Sequence, residues 1–216
     1  MKILVAVLSC NMNAHLWQSI ASKNIEDLII FTGGCEKTYY DEKHKILHLR
    51  CDDGYGGLPE KMILMMEYIL HSTRFENVTH IIKIDDHDNT FTEENIKNLY
   101  NLKELKKHHY IGQRLNNKTF YPWQWYDGNK WHIGKVNEQS HWHNKYYNGG
   151  YVPWLDGGCS YILSADAMRC ITSWYNSSNI EELRAAEIYE DAMMGKILYH
   201  HNIFPKEVKY GIIGDK

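Results

Sequence analysis

The run Thr79-His80-Ile81-Ile82-Lys83-Ile84-Asp85-Asp86-His87-Asp88 constrains this chain most. An apolar stretch that ends in four consecutive metal-binding side chains has few purely structural uses. Ile81, Ile82 and Ile84 suit a buried strand, whereas Asp85, Asp86 and Asp88 at its carboxyl end repel one another unless a cation neutralises them. Carboxylates with an imidazole suit Mg²⁺ or Mn²⁺. Adjacent strand residues point to opposite faces, so either Asp85 with His87 or Asp86 with Asp88 can converge on one ion, and the pattern leaves both open. The competing reading is a polar turn after a core strand.

The flanking sequence alternates strands and helices. Residues 1–10, 28–33 and 45–50 read as strands, with a polar helical segment at 15–24 between the first two. From 58 to 75, Leu58, Ile63, Met66, Ile69 and Leu70 recur at helical spacing and Pro59 suits the first turn. Met62, Met65 and Met66 read as core filling on that helix. After the strand 79–84, Thr92-x-x-Asn95 with Glu93 and Glu94 opens a helix expected over 92–107, and a strand resumes at 109–113. A strand at 159–163, a helix at 165–175 capped by Ser164 or Asp166, and a last helix at 190–199 complete the pattern. With 216 residues and no linker or repeat, one α/β domain is expected.

Composition removes several function classes. A net charge of -3 without any basic block argues against nucleic acid as a partner. The apolar start is short and meets Ser9-Cys10-Asn11 without a cleavage site, so it reads as a core strand and not a signal peptide. No stretch approaches the roughly 20 apolar residues of a membrane span, and a soluble, cytoplasmic chain is expected. The five cysteines are scattered and lack a Cys-x-x-Cys element, which favours reduced thiols over structural zinc or a disulfide framework. His108-His109 and His141-x-His143 lie in polar stretches without matching carboxylate spacing and read as surface or structural residues.

From 116 to 154 the periodicity disappears. Trp123, Trp125, Tyr126, Trp131, Trp142, Tyr146, Tyr147, Tyr151 and Trp154 crowd among Gly, Asn and His. Irregular stretches of this length are uncommon unless functional. Two readings compete: aromatic faces that stack on sugar rings, or a β-rich insertion whose aromatics fill a small core.

A strand-helix alternation with acids at a strand end, followed by an aromatic loop, suits a diphosphate bound through a divalent ion. In this order the chain resembles the GT-A-type glycosyltransferases, in particular the β-1,3-galactosyltransferase and Fringe-like family. Asp53-x-Tyr55-x-x-Leu58-x-x-Lys61 resembles that family's Asp-x-Tyr-x-Asn-Leu-x-x-Lys segment, with Gly57 in place of Asn. Lys83-x-Asp85-Asp86 resembles its Lys-x-Asp-Asp-Asp motif, with His87 at the third acid. Residues 153–164, from Pro153-Trp154-Leu155-Asp156-Gly157-Gly158 to Ser164, resemble its Tyr-Pro-x-Tyr-x-x-Gly-x-Gly-Tyr-x-Leu-Ser segment, and Glu190-Asp191-x-x-x-Gly195 its Glu-Asp-Val-x-x-Gly.

The resemblance implies a GT-A-type domain, a central mixed, mostly parallel sheet flanked by helices. Residues 1–115 would form its nucleotide-sugar-binding half and 116–216 its acceptor-binding half. It implies an inverting, divalent-metal-dependent transfer of a hexose from a UDP-sugar to an acceptor glycan. Ser9, Asp53, Lys61, Lys83, Asp85, Asp86, Gly157 and Gly158 would serve the donor, and Asp86, His87 and Asp88 an Mn²⁺ or Mg²⁺ ion. Trp154, Asp156 and Glu190 would serve the acceptor. Lys61 and Lys83 would either neutralise phosphate or form salt bridges. Asp191 is the expected base, kept ionised at a helix start, with Asp156 as the fallback. His200 and His201 sit closer to Glu190-Asp191 than the family's further metal-binding His. Without the membrane anchor of most cellular members, the chain resembles the minimal forms encoded by bacteria or large DNA viruses. A metal-dependent phosphohydrolase or a noncatalytic carbohydrate-binding module are the alternatives.

Overall fold

The computed structural model describes residues 1–88, 90–122 and 124–212, apart from the Asp88 side chain. Trp123, named above among the aromatics, lies outside the described residues, as does that side chain. An eight-stranded sheet organises the chain, with strand order β10-β6-β9-β5-β1-β2-β4-β3. At its centre β1 (Ile3–Leu8) lies parallel to both β5 (His80–Asp85) and β2 (Leu28–Thr32), and β2 to β4 (Ile46–His48). The short β3 (Tyr39–Asp41) closes one edge antiparallel to β4. On the other side β9 (Tyr161–Ser164) runs antiparallel between β5 and β6 (Tyr110–Gly112), and β10 (Lys206–Glu207) pairs parallel with β6. This is the mixed, mostly parallel α/β sheet expected of a GT-A-type domain. β9 comes from the second half of the chain, so the sheet is continuous across both halves.

Near-continuous apolar runs build the central strands because helices cover both faces. On one face Leu4, Ala6, Ile29, Phe31 and Ile81 pack against α2 (Leu58–His71), α4 (Ala165–Trp174) and α6 (Glu190–His200). On the other, Val5, Val7, Ile30, Ile82 and Ile84 meet α1 (Ala14–Ala21) and α3 (Glu93–Leu99). Thr92 caps α3 in a reciprocal box with Asn95, as the sequence predicts.

Several boundaries differ from expectation. The helix expected over 92–107 stops at Leu99, because Leu102 adopts an extended backbone that lets the turn Lys103–Lys106 bring Leu105 into the core. The helix expected over 58–75 ends at His71, where extended Ser72 leads into a separate turn holding Phe75. Helix α5 (Ile180–Ala186) and strands β3 and β10 were not expected. Within 116–154, β7 (Leu115–Asn116) pairs with β8 (Trp154–Leu155), and Phe120 bridges Tyr151. Here Trp142, Tyr147, Tyr151 and Trp154 bury against Tyr189 and Ala192 as a third core, whereas Trp125 and Trp131 stay 60% and 64% exposed. Core filling therefore accounts for part of the aromatic segment and leaves Trp125 and Trp131 at the surface.

Candidate active site

A cleft of about 800 Å³ opens where the carboxyl ends of β1 and β5 meet the start of α6 and the aromatic segment. Every site residue expected from the sequence whose side chain is described lines it. Parallel strands end at one edge of the sheet, and the loops leaving them converge there.

The floor is a network of buried charges. Lys83, 1% exposed on β5, places its ammonium 2.6 Å from Asp85 and 3.1 Å from Glu190, and donates to the Gly157 carbonyl at 3.0 Å. Burial opposes its charge, but Asp85 and Glu190 outweigh that and raise its pKa. Glu190 accepts a second bond from the Tyr161 hydroxyl at 2.7 Å. The backbone of Gly157 must lie close to this network: a Cβ there would collide with Glu190 and stand 3.2 Å from the Lys83 ammonium. Lys61, equally buried, pairs with Asp53 at 2.7 Å and donates to the Ser9 and Asp53 carbonyls. Asp53 is partly buried, which raises its pKa, yet the Asn11 and Gly33 N–H groups and Lys61 pull it below the ordinary carboxylate value.

Asp86 is held in place more than it is neutralised. Trp17 Nε1 donates to Ser9 Oγ at 2.7 Å, so the Ser9 proton goes to Asp86 Oδ2 at 2.6 Å, and Asn13 donates to the same oxygen at 2.9 Å. Its other oxygen accepts no bond among the described residues. The Asp86 carboxylate thus supplies a donor of the type a hard divalent cation takes. Among the described residues, however, no three His, Cys, Asp or Glu side chains are grouped to hold an ion. Asp85 directs Oδ1 at Lys83.

Asp191 stands apart. It sits in the first turn of α6, partly buried in the cleft, and accepts from the Ala192 N–H at 2.8 Å and the Gly157 N–H at 3.3 Å. Burial, reinforced by the neighbouring Glu190 carboxylate, raises its pKa to about 7 despite those bonds. A carboxylate that exchanges a proton near neutral pH and faces a substrate-sized cleft suits a general base. Asp156 instead caps the turn Gly157–Cys159 through Gly158 N–H and is clamped by Arg114.

Sequence reasoning missed Arg114, Asn13, Trp17, Tyr189 and Lys135. Each is an isolated side chain whose relevance depends on tertiary approach, and only the Glu190-Asp191 motif beside Tyr189 offered a signal. Tyr189 donates to the Gly128 carbonyl at 2.5 Å and meets His132 at 2.7 Å, which ties the aromatic segment to the start of α6.

The galactosyltransferase family model matches residues 35–208, a span that includes every motif named above. No curated protein matches the chain. Among solved structures, a cytidylyltransferase from Leptospira borgpetersenii serovar Hardjo-bovis is similar at 8% identity and a TM-score of 0.49, over 100% of this chain and 79% of that one. The 4-diphosphocytidyl-2C-methyl-D-erythritol synthase of Anaerococcus prevotii gives 9% identity and a TM-score of 0.45, over 98% and 89% of the two chains. The 2-C-methyl-D-erythritol 4-phosphate cytidylyltransferase of Francisella tularensis gives 11% and 0.44, over 100% and 95%.

Proposed function

Because this chain belongs to the galactosyltransferase family, and is thereby a glycosyltransferase, we propose that its cleft transfers a hexose from a UDP-sugar to a hydroxyl of an acceptor glycan with inversion. The observation that carries this reading is Asp191, a cleft carboxylate with a pKa of about 7 on a helix start pinned to Gly157. Asp191 takes the acceptor proton as the acceptor oxygen bonds to the anomeric carbon. The bond from that carbon to the diphosphate oxygen breaks, and its electron pair leaves with the diphosphate. Inversion follows from this single displacement, since attack and departure occur on opposite faces.

The Asp86 carboxylate, held by Ser9 and Asn13, orients the donor, and the Gly157-Gly158 turn lets the sugar approach the backbone. Asp86, His87 and Asp88 are the proposed ligands of Mn²⁺ or Mg²⁺, which when bound would offset diphosphate charge. The acceptor rests against Trp154 and Asp156. Among the described residues no helix is long and apolar enough to cross a membrane.

Calorimetric titration with UDP and a panel of UDP-, GDP- and dTDP-sugars, in Mn²⁺ and then in chelator, tests the donor assignment. The expected result is binding of the uridine series that chelator weakens at least about tenfold. Folded protein that binds none of them would sink the UDP-sugar reading. Binding indifferent to chelator would remove the metal alone.

A further inference from the structure

Four lysine or arginine side chains line the cleft, and among the described residues three of them already face carboxylates. Lys61 is taken by Asp53, Lys83 by Asp85 and Glu190, and Arg114 by Asp156. The fourth, Lys135, forms no ion pair among the described residues. Its ammonium stands 3.5 Å from the Trp131 ring centroid and 5.3 Å from that of Tyr55. Tyr55 belongs to the turn that opens α2, so the second ring beneath the ammonium is anchored there. An aromatic face holds an ammonium in place without neutralising it. Desolvation against the cleft wall lowers the pKa of the exposed Lys135, and no carboxylate among the described residues offsets it.

Lys61 and Lys83 have the motif positions that first suggested phosphate contacts, yet both are spent on buried or partly buried acids. Moving either ammonium to a phosphate would strand a buried carboxylate. A nucleoside diphosphate entering this cleft also meets the Asp86 carboxylate, so it requires positive charge that is not already paired. The geometry points to Lys135 as the residue that binds the diphosphate of the nucleotide-sugar donor. This assignment rests on the donor reading above. As the anomeric carbon–oxygen bond breaks, its electron pair raises the charge on the departing diphosphate, and the ammonium stabilises that charge without giving up a proton. Lys135 belongs to the segment where periodicity fails, which gives that segment a part in donor binding besides packing.

The test is calorimetric titration of the full chain with UDP and with uridine, in Mn²⁺, for wild type, Lys135→Met, Lys135→Arg and Lys130→Met. Lys130 lies over Trp125, outside the cleft, and controls for loss of a nearby charge. Lys135→Met should weaken UDP binding about 10- to 100-fold. Uridine affinity should stay unchanged, Lys135→Arg should recover most of the loss, and Lys130→Met should match wild type. Lys135 is exposed, so the substitution leaves the fold intact. UDP binding by Lys135→Met equal to wild type overturns this assignment alone. Equal losses in UDP and uridine affinity overturn it as well. A wild-type chain that binds no UDP overturns the donor reading itself.

Discussion

An Asp191→Asn chain will bind the nucleotide sugar as tightly as wild type and transfer it about 10²- to 10⁴-fold more slowly. It will also melt at a higher temperature at pH 8. The first two results follow from a base that touches the acceptor proton but not the donor's nucleotide. The third follows from linkage. The carboxyl is raised from its ordinary 3.8 to about 7 in the folded state, so the folded chain holds a proton that the unfolded chain has released. Stability therefore falls as pH rises between these values, and the full cost is present above about 7. The gap corresponds to at most about 4 kcal/mol, and asparagine, uncharged and nearly isosteric, escapes it. For a chain of this length each kcal/mol moves the melting temperature by about 2–4 °C. The expected gain is several degrees at pH 8, less than half of that at pH 5, and close to zero only below about pH 3.8. A variant that melts below wild type at both pH values would mean that Asp191 is held for structure through Gly157 and Ala192.

Lys83→Met will be among the most destabilising single substitutions, with a loss of about 3–5 kcal/mol in urea unfolding at pH 7.5. Methionine fits the volume but leaves Asp85 and Glu190 facing each other at the floor of the cleft without their shared cation. The penalty should shrink toward pH 5, where protonation relieves an unpaired buried carboxylate. Adding Glu190→Gln should restore part of the loss at pH 7.5, because a neutral amide still accepts from Tyr161. A Lys83→Met chain within 1 kcal/mol of wild type would show that this network does not hold β5, the Gly157 turn and α6 together.

The central strands were legible because buried parallel strands are continuous apolar runs, and Ile81, Ile82 and Ile84 form one whose end falls at the acidic cluster. Short edge elements were not. A two- or three-residue strand such as β7, β8 or β10 has no period to read and exists because a neighbour offers it a ladder. The break at Leu102 was hidden for the opposite reason, since Leu99, Leu102 and Leu105 continue an apolar spacing compatible with one longer helix. In the site, motif residues could be named because their neighbours in sequence are also their neighbours in function. Their partners could not be named. Lys61 and Lys83 each read equally well as a phosphate ligand or a salt bridge, and only the approach of Asp53, Asp85 and Glu190 distinguishes the two. The aromatics divide in the same way. Tyr147 is 1% exposed and Trp131 64%, although both come from one irregular stretch of similar composition.

The central claim is that Asp191 is the base of an inverting sugar transfer, and the pH dependence of kcat at saturating donor and acceptor tests it most directly. Saturation removes nucleotide affinity from the profile. The expected profile is level at high pH and falls by about tenfold per pH unit below the pKa of Asp191, which stands at about 7 before substrates bind. A rate that stays constant from pH 5.5 to 8.5, with chemistry shown to be the slow step, would contradict it.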